Sequence, residues 1–183
     1  SEDTAVFTQN SLRELINKSC DFEKIRAHRA KLFACAYDIN ERHVKYFELK
    51  KLSDEEMTDA VLASAAIPHV YDPVEIEGHK FADGGINDPS YGVKNSDVTP
   101  LSPLQDEGYD AIIVIHLREQ ETLDIDHIGS TQLIHIYPSK PLEQIKGSGT
   151  MNFTRSAIRE RFAMGYADMY IALGKLLMSI IKE

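Results

Sequence analysis

The pattern of apolar and polar positions predicts several short strands. Residues 31–38 are rich in aromatic and small apolar side chains and predict a buried strand. Residues 43–49, with β-branched and aromatic side chains, predict its hairpin partner. Residues 110–117 predict the clearest buried strand, since the apolar run at residues 111–115 is bounded by polar residues, which is typical of a parallel sheet covered on both faces. Residues 132–137 predict a further strand, which Pro138 ends.

Helices are predicted before the first of these strands and between the later ones. Ser11 and Glu14 have capping-box spacing ahead of an apolar stretch, and Ser53 and Glu56 repeat that spacing further along the chain. The second of these helices is expected to stop at Pro68, because the residue before a proline disfavours helical backbone. Helices that alternate with buried strands define an α/β domain.

The last part of the chain has a different periodicity. Apolar residues recur there at a spacing of three to five: Phe153, Ile158, Phe162, Met169, Leu173, Leu176 and Ile180. This spacing predicts a long amphipathic helix with one apolar face. We expect that face to pack on the sheet, and a lipid surface or a partner helix is the alternative for it.

Asp83 is the one acid in a special backbone setting. It follows a predicted edge strand at residues 73–81 and precedes Gly84 and Gly85. Glycines permit a positive φ, or they let another backbone or a ligand approach closely. Taken alone, Asp-Gly-Gly is an ordinary turn signal, and a catalytic acid is the alternative interpretation.

The net charge narrows the classes of partner. With 20 Lys and Arg against 29 Asp and Glu, the 183-residue chain has a formal charge of −9. A nucleic-acid binder needs a basic face for phosphates, so no nucleic-acid partner is expected. Electrostatic anchoring on anionic lipid is disfavoured for the same reason.

Motifs for metal, nucleotide and thiol chemistry are absent from the sequence. It contains no P-loop, no G-x-G-x-x-G and no C-x-x-C, and its seven histidines form no H-E-x-x-H. No metal site is therefore predicted. Cys20 and Cys35 are too few for a disulfide framework and fit a reducing compartment. His116 and His135 lie on predicted strands, where hydrogen-bonded strand-end residues are the favoured interpretation over a catalytic base.

A serine nucleophile is not evident either. The sequence has no G-x-S-x-G elbow. Ser64 lies among alanines ahead of Pro68, where small residues let a helix pack closely. An exposed nucleophile needs a strained strand-to-helix turn, which the residues around Ser64 do not predict.

Taken together, residues 61–117 resemble the second half of a patatin-like phospholipase domain. Five features occur in the same order as in that family: a block of small residues ending in proline, an edge strand, the Asp-Gly-Gly turn, a Pro-Leu pair and a returning buried strand. They lie at Leu62–Pro68, Val70–Val74, Asp83–Gly85, Pro100–Leu101 and Ile112–Leu117. The resemblance extends over roughly residues 5–140, with the hairpin at residues 36–47 upstream.

The resemblance implies a three-layer α/β/α fold and a serine lipid acyl hydrolase of the phospholipase A type, with a Ser–Asp dyad. It makes Asp83 the dyad aspartate and Gly84 and Gly85 its structural support. The family's serine elbow and glycine-rich oxyanion loop lie upstream of everything in this chain. We therefore expect residues 1–141 to be the C-terminal part of the catalytic domain and residues 142–183 a helical extension. No serine or oxyanion residue is assigned.

Further expectations follow from the resemblance. The enzyme needs no metal or organic cofactor, and its partners are a lipid substrate, a transient membrane surface and the missing N-terminal half. The fragment alone is expected to be inactive, and apolar strand edges left bare are expected to cause dimerisation or aggregation. We expect a cytoplasmic, membrane-peripheral protein, with export left open.

Two alternatives stay open at this point. The parent protein is either an active hydrolase or a non-catalytic relative that binds lipid or a protein. After the Asp-Gly-Gly turn the family has an Asn and Pro run, which fits either residues 87–89 or, after an inserted loop, residues 95–100. The alignment of residues 86–99 therefore has two solutions, and Asp88 is interpreted as a turn former.

Overall fold

The computed structural model of the chain describes residues 9–117, 125–142 and 154–180. It is a mixed α/β structure in which contacts divide the chain into two compact units, Ser1–Leu104 and Gln105–Glu183, here the first and second units. The three-layer arrangement and the domain boundary between residues 141 and 142 stay predictions.

A four-stranded antiparallel sheet organises the first unit. Its strands are β1 (Phe33–Asp38), β2 (His43–Glu48), β3 (Val74–Ile76) and β4 (His79–Asp83), in the order β2-β1-β4-β3. The hairpin of β1 and β2 is confirmed, and so is the edge position of β3. The single strand predicted over residues 73–81 is instead two, because a turn at Glu77 and Gly78, both with positive φ, separates β3 from β4.

Three helices accompany this sheet: α1 (Asn10–Ser19), α2 (Phe22–Ala27) and α3 (Asp54–Ser64). The capping box of Ser53 and Glu56 is confirmed at the start of α3, with both reciprocal hydrogen bonds present. The box predicted at Ser11 is wrong, because α1 begins at Asn10 with Gln9 at the N-cap position, so Ser11 lies inside the helix. Gln9 precedes α1, and its side-chain amide donates to the Leu62 carbonyl at 2.9 Å, so a tertiary contact fixes this end.

Small residues let α3 lie close to the sheet. Ala60 and Ala63 of α3 are fully buried with Ala36 of β1 in one apolar cluster. Phe47 and Phe81 close this cluster with their rings edge to face, 5.4 Å apart between centroids. The alanine-rich stretch therefore serves helix packing, as expected.

The second unit contains a three-stranded sheet and a long helix. The strands β5 (Ala111–Ile115), β6 (His127–Ile128) and β7 (Thr131–Ile136) are ordered β5-β7-β6, with β5 and β7 parallel. Both long strands are confirmed, and so is the parallel sheet predicted for residues 110–117. Cover on both faces is wrong for β5: Ile112 and Val114 are buried, whereas Ile115 on the other face is 68% exposed.

The predicted long helix is α4 (Arg155–Ile180). Its buried side carries Asp168, whose carboxylate accepts the Ser139 N–H at 3.1 Å. The prediction that the apolar face packs on the sheet is wrong for Ile158 and Phe162, which are exposed, while Met169, Leu173 and Leu176 are partly buried. Phe153 and the Ile180 side chain lie outside the described residues. Among the described helices, none has the combination of length and apolar character needed to cross a bilayer.

Candidate functional site

Asp83 is held from two sides at the end of β4. On one side it lies opposite Ala36 in the register of β4 with the central strand β1. On the other, its backbone N–H donates to the Ala66 carbonyl at 3.0 Å, just after α3. Its side chain is half-buried. Strand pairing and the α3 connection therefore fix the backbone from which this carboxyl projects.

Gly84 brings the turn against the backbone of β1. A Cβ at this position would lie 2.6 Å from the Cys35 carbonyl oxygen, a distance that no ordinary side chain tolerates. At Gly85 a Cβ would lie 3.3 Å from the Asp83 Oδ1. Neither glycine is in the left-handed region. Of the two roles expected for the glycines, the structure therefore has close approach and not positive φ.

Burial sets the electrostatics of Asp83. Loss of solvent raises the pKa of its carboxyl above the ordinary value, and a hydrogen bond from the Gly85 N–H to Oδ1, 2.7 Å long, partly offsets this rise. A carboxylate with a raised pKa is a stronger proton acceptor than an ordinary aspartate. The position therefore suits a general base.

Cys35 lies beside this carboxyl but is chemically quiet. Burial, together with the nearby carboxylates of Asp97 and Asp83, raises the pKa of its thiol to about 12. Because the thiolate is the reactive form, Cys35 is not a nucleophile at neutral pH.

An unpredicted cluster centred on Asp97 lies near the site. The Tyr46 hydroxyl of β2 donates to the Asp97 carboxylate, and the Ser102 hydroxyl donates to the same oxygen at 2.6 Å. Burial and the bond to Asp97 raise the pKa of Tyr46 above its ordinary value. In the sequence, residues 95–100 are singled out only as one of two alignments of the family's Asn and Pro run, and no hydrogen bond between Tyr46 and Asp97 is predicted.

Two further candidates have structural roles. Asp88 precedes a 3₁₀ turn at Pro89–Tyr91 and accepts the Ser90 N–H at 3.0 Å, which confirms it as a turn former. Ser64 is the last residue of α3, so it does not stand on a strand-to-helix turn.

His116 and His135 meet in the second unit. His116 Nε2 and His135 Nδ1 are 2.9 Å apart, and His135 Nε2 lies 2.8 Å from the Ile125 carbonyl. The His116 ring stacks on Tyr137. The interpretation of these histidines as hydrogen-bonded strand-end residues is confirmed. Within the described ranges, no group of three or more His, Cys, Asp or Glu side chains is arranged to hold a metal ion.

The geometry defines an α/β protein with a half-buried aspartate beside a tight glycine pair. The family model described as Patatin-like phospholipase matches residues 2–90, just under half of the 183-residue chain. The resemblance is confirmed over this range, which includes the first unit's sheet and Asp83–Gly85. The part of the resemblance at Pro100–Leu117 lies beyond the match. A lipid acyl hydrolase is the type of function that this family suggests. A search of curated proteins finds no match.

Proposed function

We propose that this chain is part of a patatin-like serine lipid acyl hydrolase of the phospholipase A type, with Asp83 as the base of a Ser–Asp dyad. The serine is proposed to come from sequence upstream of this chain. The observation that carries the proposal is the half-buried Asp83 carboxyl, which lies at the end of β4 within the family match. Its raised pKa is the property that a general base for a serine needs.

The proposed reaction has two halves. In the first, Asp83 accepts the serine hydroxyl proton while the serine oxygen bonds to the acyl carbonyl carbon. The ester C–O bond then breaks, and the proton passes from Asp83 to the departing alcohol, which leaves an acyl-serine. In the second, water attacks the acyl-serine, Asp83 takes the water proton, and the proton returns to the serine oxygen as the fatty acid departs.

Gly84 and Gly85 support this role by their lack of side chains. Gly84 lies against the β1 backbone, and a Cβ at Gly85 would crowd Asp83 Oδ1 at 3.3 Å. The lack of side chains at both glycines leaves room that a second segment would need to reach the carboxyl. Water exclusion by that segment and by a lipid chain would raise the Asp83 pKa further and strengthen the base.

A second candidate function is a non-catalytic module that binds a lipid surface or a protein. The observation that favours it is the bare side of α4, where Phe162, Tyr166 and Tyr170 are spaced four residues apart, all more than half exposed. Aromatic residues on one helix face are typical of interfacial helices. This surface is compatible with either function, whereas a half-buried Asp83 carboxyl with a raised pKa favours the enzyme.

Labelling with a fluorophosphonate separates the two candidates. The probe is applied to the complete gene product, with a heat-denatured sample as the control. A hydrolase incorporates the probe at one serine upstream of this chain, and a binding module incorporates none. Absence of labelling in a folded complete protein would rule out the enzyme.

A further inference from the structure

The peptide group between Gly84 and Gly85 is hydrogen-bonded at both ends. Its carbonyl oxygen accepts the Asn95 side-chain amide, with Nδ2 at 2.6 Å. Its N–H donates to Asp83 Oδ1 at 2.7 Å. Because a peptide group is planar, the direction of the carbonyl fixes the direction of the N–H. One rigid unit therefore connects the Asn95 amide to the Asp83 carboxylate.

We propose that Asn95 is a positioning residue for Asp83, acting through the Gly84–Gly85 peptide. The proposal rests on the proposed function in one respect, the use of Asp83 as a base. The geometric link itself exists whether or not the protein is an enzyme.

Asn95 is built into the fold firmly enough for this task. Its side chain is 4% exposed, its Oδ1 accepts the Asp97 N–H at 2.8 Å, and its own N–H donates to Asn87 Oδ1 at 3.2 Å. With its amide bonded at both the oxygen and the nitrogen, the side chain has one orientation. Rotation of the amide would leave buried polar atoms unpaired, which is costly.

The segment before Asn95 is anchored as well. Val93 is fully buried and pairs with Asp88 in a short antiparallel bridge. The Lys94 carbonyl accepts the Tyr37 hydroxyl of β1 at 3.3 Å. These contacts hold Asn95 at the Gly84 carbonyl, although the two residues are eleven positions apart in sequence.

The link acts on Asp83 through its charged form. A donor on a peptide carbonyl polarises the group and strengthens the hydrogen bond that its N–H donates. A stronger bond from the Gly85 N–H favours the ionised carboxylate and limits the rise that burial causes in the Asp83 pKa. Asn95 thereby fixes the orientation of the Asp83 carboxylate and favours its ionised form.

The titration of Asp83 has to be distinguished from the titration of the other ionisable groups near this carboxyl. Cys35 faces it from β1, and Asp97 lies in the loop, where it is bonded by Tyr46 of β2. Cys35 and Tyr46 both have raised pKa values and stay neutral at acidic pH. Asp97 is the remaining acid, and Asp83→Asn removes the Asp83 signal while leaving Asp97 in place.

The test is an NMR titration of side-chain carboxyl carbons in the 183-residue chain. We expect Asn95→Ala to raise the measured pKa of Asp83, because the Gly85 N–H then donates a weaker hydrogen bond to Oδ1, and Asn95→Gln, which keeps an amide donor, to reverse part of that rise. Asn40→Ala is the matched control, because Asn40 Oδ1 accepts the Lys80 N–H at 2.7 Å near the opposite end of β4. An unchanged Asp83 pKa in folded Asn95→Ala would overturn the proposal.

A second measurement needs no destabilising variant. In the unmodified chain the Asn95 side-chain N–H₂ resonances should shift with the midpoint of Asp83, and Asp83→Asn should abolish that shift. Resonances that ignore the Asp83 titration would overturn the proposal. Failure of the proposed function gives a different result. In that case the Asp83→Asn variant of the complete protein retains its activity, while both NMR measurements still give the results expected for the Asn95 link.

Discussion

Asp83 and Asp38 are carboxyls on adjacent strands of one sheet, and their surroundings shift their pKa values in opposite directions. Burial raises the pKa of Asp83 with one opposing hydrogen bond. At Asp38 burial also acts to raise the pKa, but the Glu41 and Asn40 N–H groups and His79 outweigh it and lower the pKa. The number of donors facing each carboxyl therefore decides the direction in which its pKa is shifted.

Asp83→Asn is expected to stabilise the chain at neutral pH. The folded pKa of Asp83 is raised, so its stabilising contribution is present below the unfolded pKa and is lost as pH rises through the folded value. The variant, which cannot ionise, should have a higher free energy of unfolding than the parent at pH 7, with the difference vanishing towards pH 3. Urea unfolding at both pH values measures this. Exposed Asp72→Asn is the control, and a loss of stability at pH 7 in Asp83→Asn contradicts the account.

Asp38→Asn should behave in the opposite way. The folded pKa of Asp38 is lowered, so its contribution is present above the unfolded pKa and disappears as pH falls through the folded value. We expect the free energy of unfolding to fall by about 1–2 kcal/mol at pH 7, because the hydrogen bond between the Asp38 carboxylate and His79 Nδ1, 2.7 Å long, loses its charged acceptor. The same unfolding series checks it. An equal loss at pH 7 and at low pH would show that the charge has no part in it.

At the scale of elements, the sheet of the first unit is assembled around β1. It pairs with β2 along its whole length and with β4 over Ala36–Asp38, and α3 packs its alanines on these strands. The turn after β4 then runs against the Cys35 carbonyl. The position of the candidate base therefore depends on the distance between two strands, which a single side chain at Gly84 would change.

Gly84→Ala is expected to destabilise the first unit. Its Cβ would meet the carbonyl oxygen and carbon of Cys35 at 2.6 and 2.7 Å, and backbone cannot move aside as a flexible side chain can. Overpacking of this kind costs about 1–3 kcal/mol. Gly174→Ala in α4 is the matched control, because nothing lies within 4 Å of its Cβ and it should stabilise by about 1 kcal/mol. Thermal unfolding of both variants gives the comparison, and equal effects would refute the close approach.

At the scale of the whole molecule, the local sequence pattern predicted the helices and strands better than it predicted the tertiary contacts between them. The β1–β2 hairpin, the Ser53 cap and α4 follow from periodicity and capping chemistry, which act within a few residues. The sequence pattern does not show which other parts of the chain a helix or strand packs against. The Ser11 cap was wrong because Gln9 bonds to Leu62, and the exposed face of β5 was missed because an apolar run does not specify its cover.

The candidate site divides in the same way. Asp83 and its glycines were identified from an adjacent motif together with family resemblance. Asn95 lies in residues 95–100, which were only one of two alignments of the family run, and Asp97 was not identified. The chain brings both residues to the turn through a loop with one short 3₁₀ turn and one isolated bridge. Their hydrogen bonds depend on that loop's fold, and no pattern in the sequence encodes it.

Hydrolysis of a phospholipid by the complete gene product carrying Asp83→Asn tests the central claim most directly. General base catalysis contributes about 10²–10⁴-fold to rate, so kcat should fall by that factor while Asp72→Asn keeps the parent rate. In the parent protein, kcat should fall on the acidic side of its pH profile with an apparent pKa above the ordinary pKa of an aspartate. Hydrolysis by Asp83→Asn at the parent rate would contradict the account.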